Sequence, residues 1–76
     1  MREEEIIETL RNQNDEFKKL LNEHRELDRL LIEMDKRNYL TEEEEVEKKR
    51  LKKEKLYKKD RIAELIRNYK KQYCIN

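Results

Sequence analysis

Few residues in this chain could do chemistry. His24 is the sole histidine, Cys74 the sole cysteine, and serine is absent. His24 precedes Asp28 by four residues, a spacing that on a helix stacks imidazole and carboxylate one turn apart, as an acid–base pair requires. Nothing completes a reaction centre around them: no nucleophile is near, and a chain without glycine has no tight loop to present backbone amides to a phosphate or an oxyanion. One His and one distant Cys cannot close a tetrahedral N/S metal site within one chain. The sequence therefore predicts no catalytic residue, no metal ligand and no cofactor, and the protein is not expected to be an enzyme. His24 reads instead as a polar seam residue, hydrogen-bonded near Asp28 or Lys55, that costs stability and fixes register.

The stretch KKRLKKEKLYKKDR, residues 48 to 61, raises a different chemistry, with nine lysines and arginines against two acids. Lysines beside an exposed aromatic can follow a phosphate backbone and stack its bases, which makes Lys52, Lys53, Lys59 and Tyr57 the candidate polyanion contacts. A phosphate-tracking helix concentrates its charge on one face. At about 100° per residue, Lys48, Lys55 and Lys58 fall toward the apolar seam, Lys49 and Lys53 outward, and Arg50 and Arg61 on a flank. That spread describes a solvated helix, with acidic runs at 3 to 8 and 42 to 47 as counterparts in neighbouring molecules. The whole chain carries 20 basic and 19 acidic side chains, a net charge of +1, so no general pull toward polyanions exists. Nucleic acid or another polyanion is accordingly the alternative partner.

The elements that position these residues follow from the apolar spacing. Without glycine or proline the chain can stay helical nearly throughout. Ile6, Leu10, Phe17, Leu20, Leu27, Leu31 and Met34 recur at three, four and seven, with Gln13 and His24 as polar members of the same heptad seam. Leu30 falls outside that stripe. The pattern predicts one helix over about 3–37 and a turn over about 38–41, where Asn38 can take the left-handed conformation that ends a helix. Thr41 followed by Glu44 forms a capping box, and four consecutive glutamates favour the start of a second helix over about 42–72. On it Leu51, Ile62, Leu65, Ile66, Tyr69 and Tyr73 share a face, and the stems of Lys55 and Lys58 bridge the polar gap between them.

So short a connection predicts an all-α antiparallel two-helix hairpin, coiled-coil-like, with contacting residue numbers summing to about 79. This register sets Ile6 against Tyr73, Leu10 against Tyr69, Phe17 against Ile62, His24 against Lys55 and Leu31 against Lys48. Asp28 and Asp60, with Lys52, Lys55 and Lys59, are expected to form a salt-bridge network across the pair; the alternative is a site for an anionic ligand built on Lys52, Lys55 and Lys59. A two-helix rod buries little and is marginal alone. The unclaimed Ile7, Leu21, Ile32, Leu56 and Ala63 would then be the oligomer interface, where two hairpins dimerise into a four-helix bundle. Residues 1–76 make a single domain.

Two motifs carry a family resemblance: FKKLLNEHRELD, residues 17 to 28, and LKKEKLYKKDRI, residues 51 to 62. They resemble the YdcH family of small uncharacterised bacterial proteins, whose members show FxxLxxxHxxLD and then LKKxKLxLKDxI. The resemblance implies a short cytoplasmic helical hairpin and no established activity. Lys58 stands where the family usually has an apolar residue, and NYLT is shorter than the family's usual glycine-containing loop. A lone cysteine suits a reducing compartment, with Cys74 a tolerated thiol near the chain end. MREEEIIETL lacks the basic start and apolar run of a secretory signal, and no stretch approaches the roughly 20 apolar residues of a membrane span. The expectation is a cytoplasmic protein that contacts no membrane, a protein–protein interaction or scaffolding module.

Overall fold

The computed structural model describes residues 2–73, so Cys74 lies outside the described residues. The protein is all-helical: α1 is Glu3–Gln13, α2 Asp15–Asp35 and α3 Glu42–Gln72, and no strand occurs among the described residues. α2 and α3 run antiparallel, because residue numbers rise along one as they fall along the other in four cross-helix ion pairs. These are Lys48–Asp35 at 2.7 Å, Lys55–Asp28, Lys58–Glu23 at 3.6 Å and Arg61–Glu16 at 3.2 Å. At 1.5 Å per residue α3 is about 46 Å long, nearly the whole 49 Å length of the molecule.

The single helix expected over 3–37 is two helices. Asn14 is extended, with φ −130° and ψ 108°, and its side-chain oxygen accepts the Phe17 N–H at 3.1 Å. Asn is among the best N-cap residues, and Asp15 and Glu16 complement the helix dipole in the following turn. The break swings α1 into contact with both other helices. Ile6 and Phe17 become fully buried with Leu10 and Ile66, while Ile7, Leu21, Ile62, Leu65 and Tyr69 pack around them. Burying a large apolar side chain is worth about 1.5–3 kcal/mol, enough for two such residues to offset the interrupted helix. The register expected at this end changes with it. Tyr73 is 56% exposed and lies outside the cluster that encloses Ile6, and Gln13 is exposed rather than part of a seam.

The other end is closed differently. α2 stops at Asp35, where Lys36 donates its N–H to Ile32 O at 3.2 Å, so the connection covers 36–41 and starts before Asn38. Beyond Met34 the chain reads DKRN, with no apolar residue to hold another turn against α3. The capping box is present: Thr41 Oγ1 accepts the Glu44 N–H at 3.1 Å, and the Glu44 carboxylate accepts the Thr41 N–H at 3.1 Å. Arg37 pairs with the same Glu44 across the turn. Above it Leu27, Leu31 and Leu51 form a second core, flanked by Met34 and by Leu30, which the apolar stripe had left outside. Lys55 reaches Asp28, a pair expected of the cross-helix network, and Lys48 reaches Asp35, each one turn along α2 from the residue placed level with it, His24 and Leu31. A carboxylate within reach attracts the ammonium that a lysine stem carries to the edge of the seam.

Candidate functional site: a groove along α2 and α3

Lys52, Leu56, Lys59, Ala63, Arg67 and Lys70 recur on α3 at spacings of three and four, so they occupy one flank of that helix. Two cavities follow this flank. One, of about 300 Å³, lies between it and Asp28, Leu31, Ile32 and Asp35 of α2. The other, of about 490 Å³, lies between it and Glu3 and Ile7 of α1. Both are lined by Lys59, so they lie end to end along the same flank of α3 and together form a groove face. Four of the five residues expected at an interface, Ile7, Ile32, Leu56 and Ala63, therefore line a single face. Leu21 does not line either cavity; it packs against the Ile6–Phe17 core. Ile32 is 48% exposed and Leu56 58%.

The charges along this groove fall into two sets. Asp28 is held below the usual carboxylate range by its hydrogen bond from Lys55 and by that ammonium's charge, and Lys48 does the same for Asp35. Lys48 is raised in turn, chiefly by its hydrogen bond to Asp35. Lys52, Lys59, Arg67 and Lys70 line the groove too, and none of them pairs with a carboxylate among the described residues. The expected network thus contains Lys55 and Asp28, whereas Lys52, Lys59 and Asp60 stay out of it. The polyanion candidates separate as well. Lys52 and Lys59 line the groove, but Lys53 and Tyr57 do not, and Tyr57 is 69% exposed on the outer side of α3.

On the opposite side of α2 and α3, a smaller cavity of about 230 Å³ is lined by Glu23, Glu26, Leu27, Glu54 and Lys58. Its surroundings are neutralised in place. Arg29 binds Glu26 and Glu33, Arg50 binds Glu47 and Glu54, and Arg61 binds Glu16 and Glu64. Hydrogen bonds from Arg29 and Arg50 hold Glu26 and Glu47 low. These are exposed pairs of the kind that contribute little to stability.

His24 lies half-buried at the polar middle of the seam, and its Nε2 is buried with no hydrogen-bond partner. The hydrogen bond expected there is absent at this nitrogen, since Lys55 turns its ammonium to Asp28 instead. An acid–base pair is not assembled. Among the described residues no group of three His, Cys, Asp or Glu side chains could hold a metal ion, and no helix is long and apolar enough to cross a membrane. Sequence reasoning missed Glu3, Asp35, Arg67 and Lys70 as groove residues. The signal for the basic pair was the continuation of Lys52, Leu56, Lys59 and Ala63 at the same helical spacing.

These features define a small all-helical protein whose most differentiated surface is a groove beside a long helix pair. The chain belongs to the family described as a protein of unknown function (DUF465), whose model matches residues 17–66. The matched segment holds nearly all of α2 and most of α3, and α1 lies wholly outside it. Neither a curated protein nor a solved structure matches the chain.

Proposed function

We propose that this protein is a YdcH-like interaction or scaffolding module of the cytoplasm, a helical hairpin that self-associates through the groove face into a dimer or larger bundle. The observation that carries the reading is the exposure of Ile32 and Leu56 in line with Ala63 and Ile7 on one groove. Apolar residues gathered on one face mark interaction surfaces, whereas scattered ones do not. Both motifs that resemble the YdcH family fall within residues 17–66, which supports that assignment. The reading includes no chemical step, because Asp28 is engaged by Lys55 and no nucleophile accompanies His24. Size-exclusion chromatography with light scattering at micromolar concentration tests it. A dimer or larger species is expected; a stable monomer overturns it.

A second reading, polyanion binding, is favoured by the four groove cations that have no carboxylate partner among the described residues. Its signature is retardation of short RNA or DNA that weakens steeply with salt. Absence of a shift at about 50 mM salt removes it.

A further inference from the structure

The groove has an occupant at one end already. Glu3 and Ile7 of α1 face Lys59, Ala63, Arg67 and Lys70 across the larger cavity, so an acidic, apolar helix lies beside a basic, apolar flank. That seat is incomplete: a cavity of about 490 Å³ stays open between the two helices, and α1 is anchored by buried Ile6 and Leu10 with Ile7 half-buried beside them. Farther along, Ile32 and Leu56 have no cover.

We propose that α1 of a second copy fills this groove, exchanged reciprocally between two chains that hinge at Asn14. This deepens the self-association reading and rests on it. Three observations point to α1 as the occupant. The first is charge. α1 carries Glu3, Glu4 and Glu5 in its first turn beside Ile6, Ile7 and Leu10, which suits a groove lined by Lys52, Lys59, Arg67 and Lys70; Glu8 is held by Arg11. Two groove faces laid directly together would oppose those cations. The second is the junction, a single non-helical residue. The spacing of Ile6, Leu10, Phe17 and Leu20 runs through Asn14 in phase, so a straight helix over 3–35 keeps one apolar stripe. Opening exchanges the Asn14 cap for continuous helix hydrogen bonds, a small difference of the kind that makes segment exchange an accessible route to dimers. The third is length. α1 is about 16 Å long and the α3 flank from Lys52 to Lys70 about 27 Å, so α1 fits along it once the tight junction no longer dictates its path.

Charge reversal separates exchange from other kinds of association. One full-length variant carries Glu3→Lys and Glu4→Lys, leaving basic α1 against basic groove. The other carries Lys59→Glu, Arg67→Glu and Lys70→Glu, leaving acid against acid. Light scattering is expected to give monomers for each alone, at a concentration where the wild type is dimeric, with helical circular dichroism retained. Mixed one to one, both α1–groove pairings become complementary in trans, and a heterodimer within about threefold of wild-type affinity is expected. Asn14→Ala, which removes the cap and favours the straight helix, is expected to tighten the wild-type dimer. If the wild type is dimeric but mixing yields no heterodimer, or if either variant alone dimerises like the wild type, exchange of α1 is overturned while self-association stands. A monomeric wild type overturns both.

Discussion

The two faces of the α2–α3 pair use almost the same residue types to opposite ends. On the face lined by Glu23, Glu26 and Glu54, Arg29 and Arg50 each lie three or four residues from their carboxylates, so most of this surface is satisfied within single helices, with Arg61–Glu16 and Lys58–Glu23 closing the rest across the pair. On the groove face the carboxylates Asp28 and Asp35 are taken by Lys55 and Lys48, and the remaining cations stand beside exposed Ile32 and Leu56. Spacing makes the difference. A Glu placed at i,i+3 or i,i+4 to an Arg closes a local pair, whereas Lys52, Lys59 and Lys70 have no acid at that distance, and Glu64, three residues before Arg67, is taken by Arg61. Charge fraction alone, half of all residues, says nothing about which surface is available to a partner.

The strongest way to break this contrast is to replace the apolar residues of one face. Ile32→Asp combined with Leu56→Asp is expected to weaken self-association by at least about 100-fold, because exposed anchors buried on binding act as hot spots. Since both side chains are exposed in the monomer, thermal melting of the monomer should barely change. Light scattering over a dilution series reads the first effect and circular dichroism the second. An unaltered dimer would show that the groove is not the interface.

A smaller effect is expected at His24, on the seam between the faces. Its Nε2 is buried without a partner, and leaving a polar group unsatisfied costs about 1–3 kcal/mol. His24→Leu is therefore expected to raise the melting temperature by several degrees or to change the oligomeric state. If neither moves, the seam tolerates His24 at no cost.

Acid titration acts on both faces at once. Asp28 and Asp35 on the groove, and Glu26 and Glu47 opposite, all titrate lower when folded than when unfolded. Their contribution is complete above the unfolded carboxylate range, about pH 4, and is lost as pH falls through it toward the folded values. The melting temperature should hold from pH 7 to about 5 and decline below about 4. Lys55→Met should blunt the part of that decline due to Asp28. The smallest change is expected for Arg50→Ala, which removes only exposed pairs: neither melting nor association should shift resolvably.

Some of this design could be read directly from the chain. Thr41 and Glu44 announce the start of α3 because a capping box is a local interaction, complete within four residues. The face shared by Leu51 and Ile66 follows from periodicity. Asn14 was illegible for the same reason that makes it interesting. The heptad spacing passes through it in phase, and only the order Asn, Asp, Glu hints at a cap. Whether the chain breaks there depends on what Ile6 and Leu10 can bury against Ile66, a tertiary matter that periodicity does not contain. The groove was half legible. Ile7, Ile32, Leu56 and Ala63 could be found by subtraction from the seam, but Leu21 could not be told apart from them until the break drew the first core around it.

The closure at residues 36–41 has a kinetic consequence. Thr41, Glu44 and Arg37 fasten the turn over a handful of residues, and Leu27, Leu31 and Leu51 lie close by. Contacts this near in sequence cost little chain entropy to form, so they are suited to nucleate the fold, with α2 and α3 zipping outward and α1 docking last. Amide protection is then expected to be deepest around Leu27 to Leu31 and shallowest in α1. The segment that closes the first core would be the one that samples release most often, long before the helix pair itself comes apart.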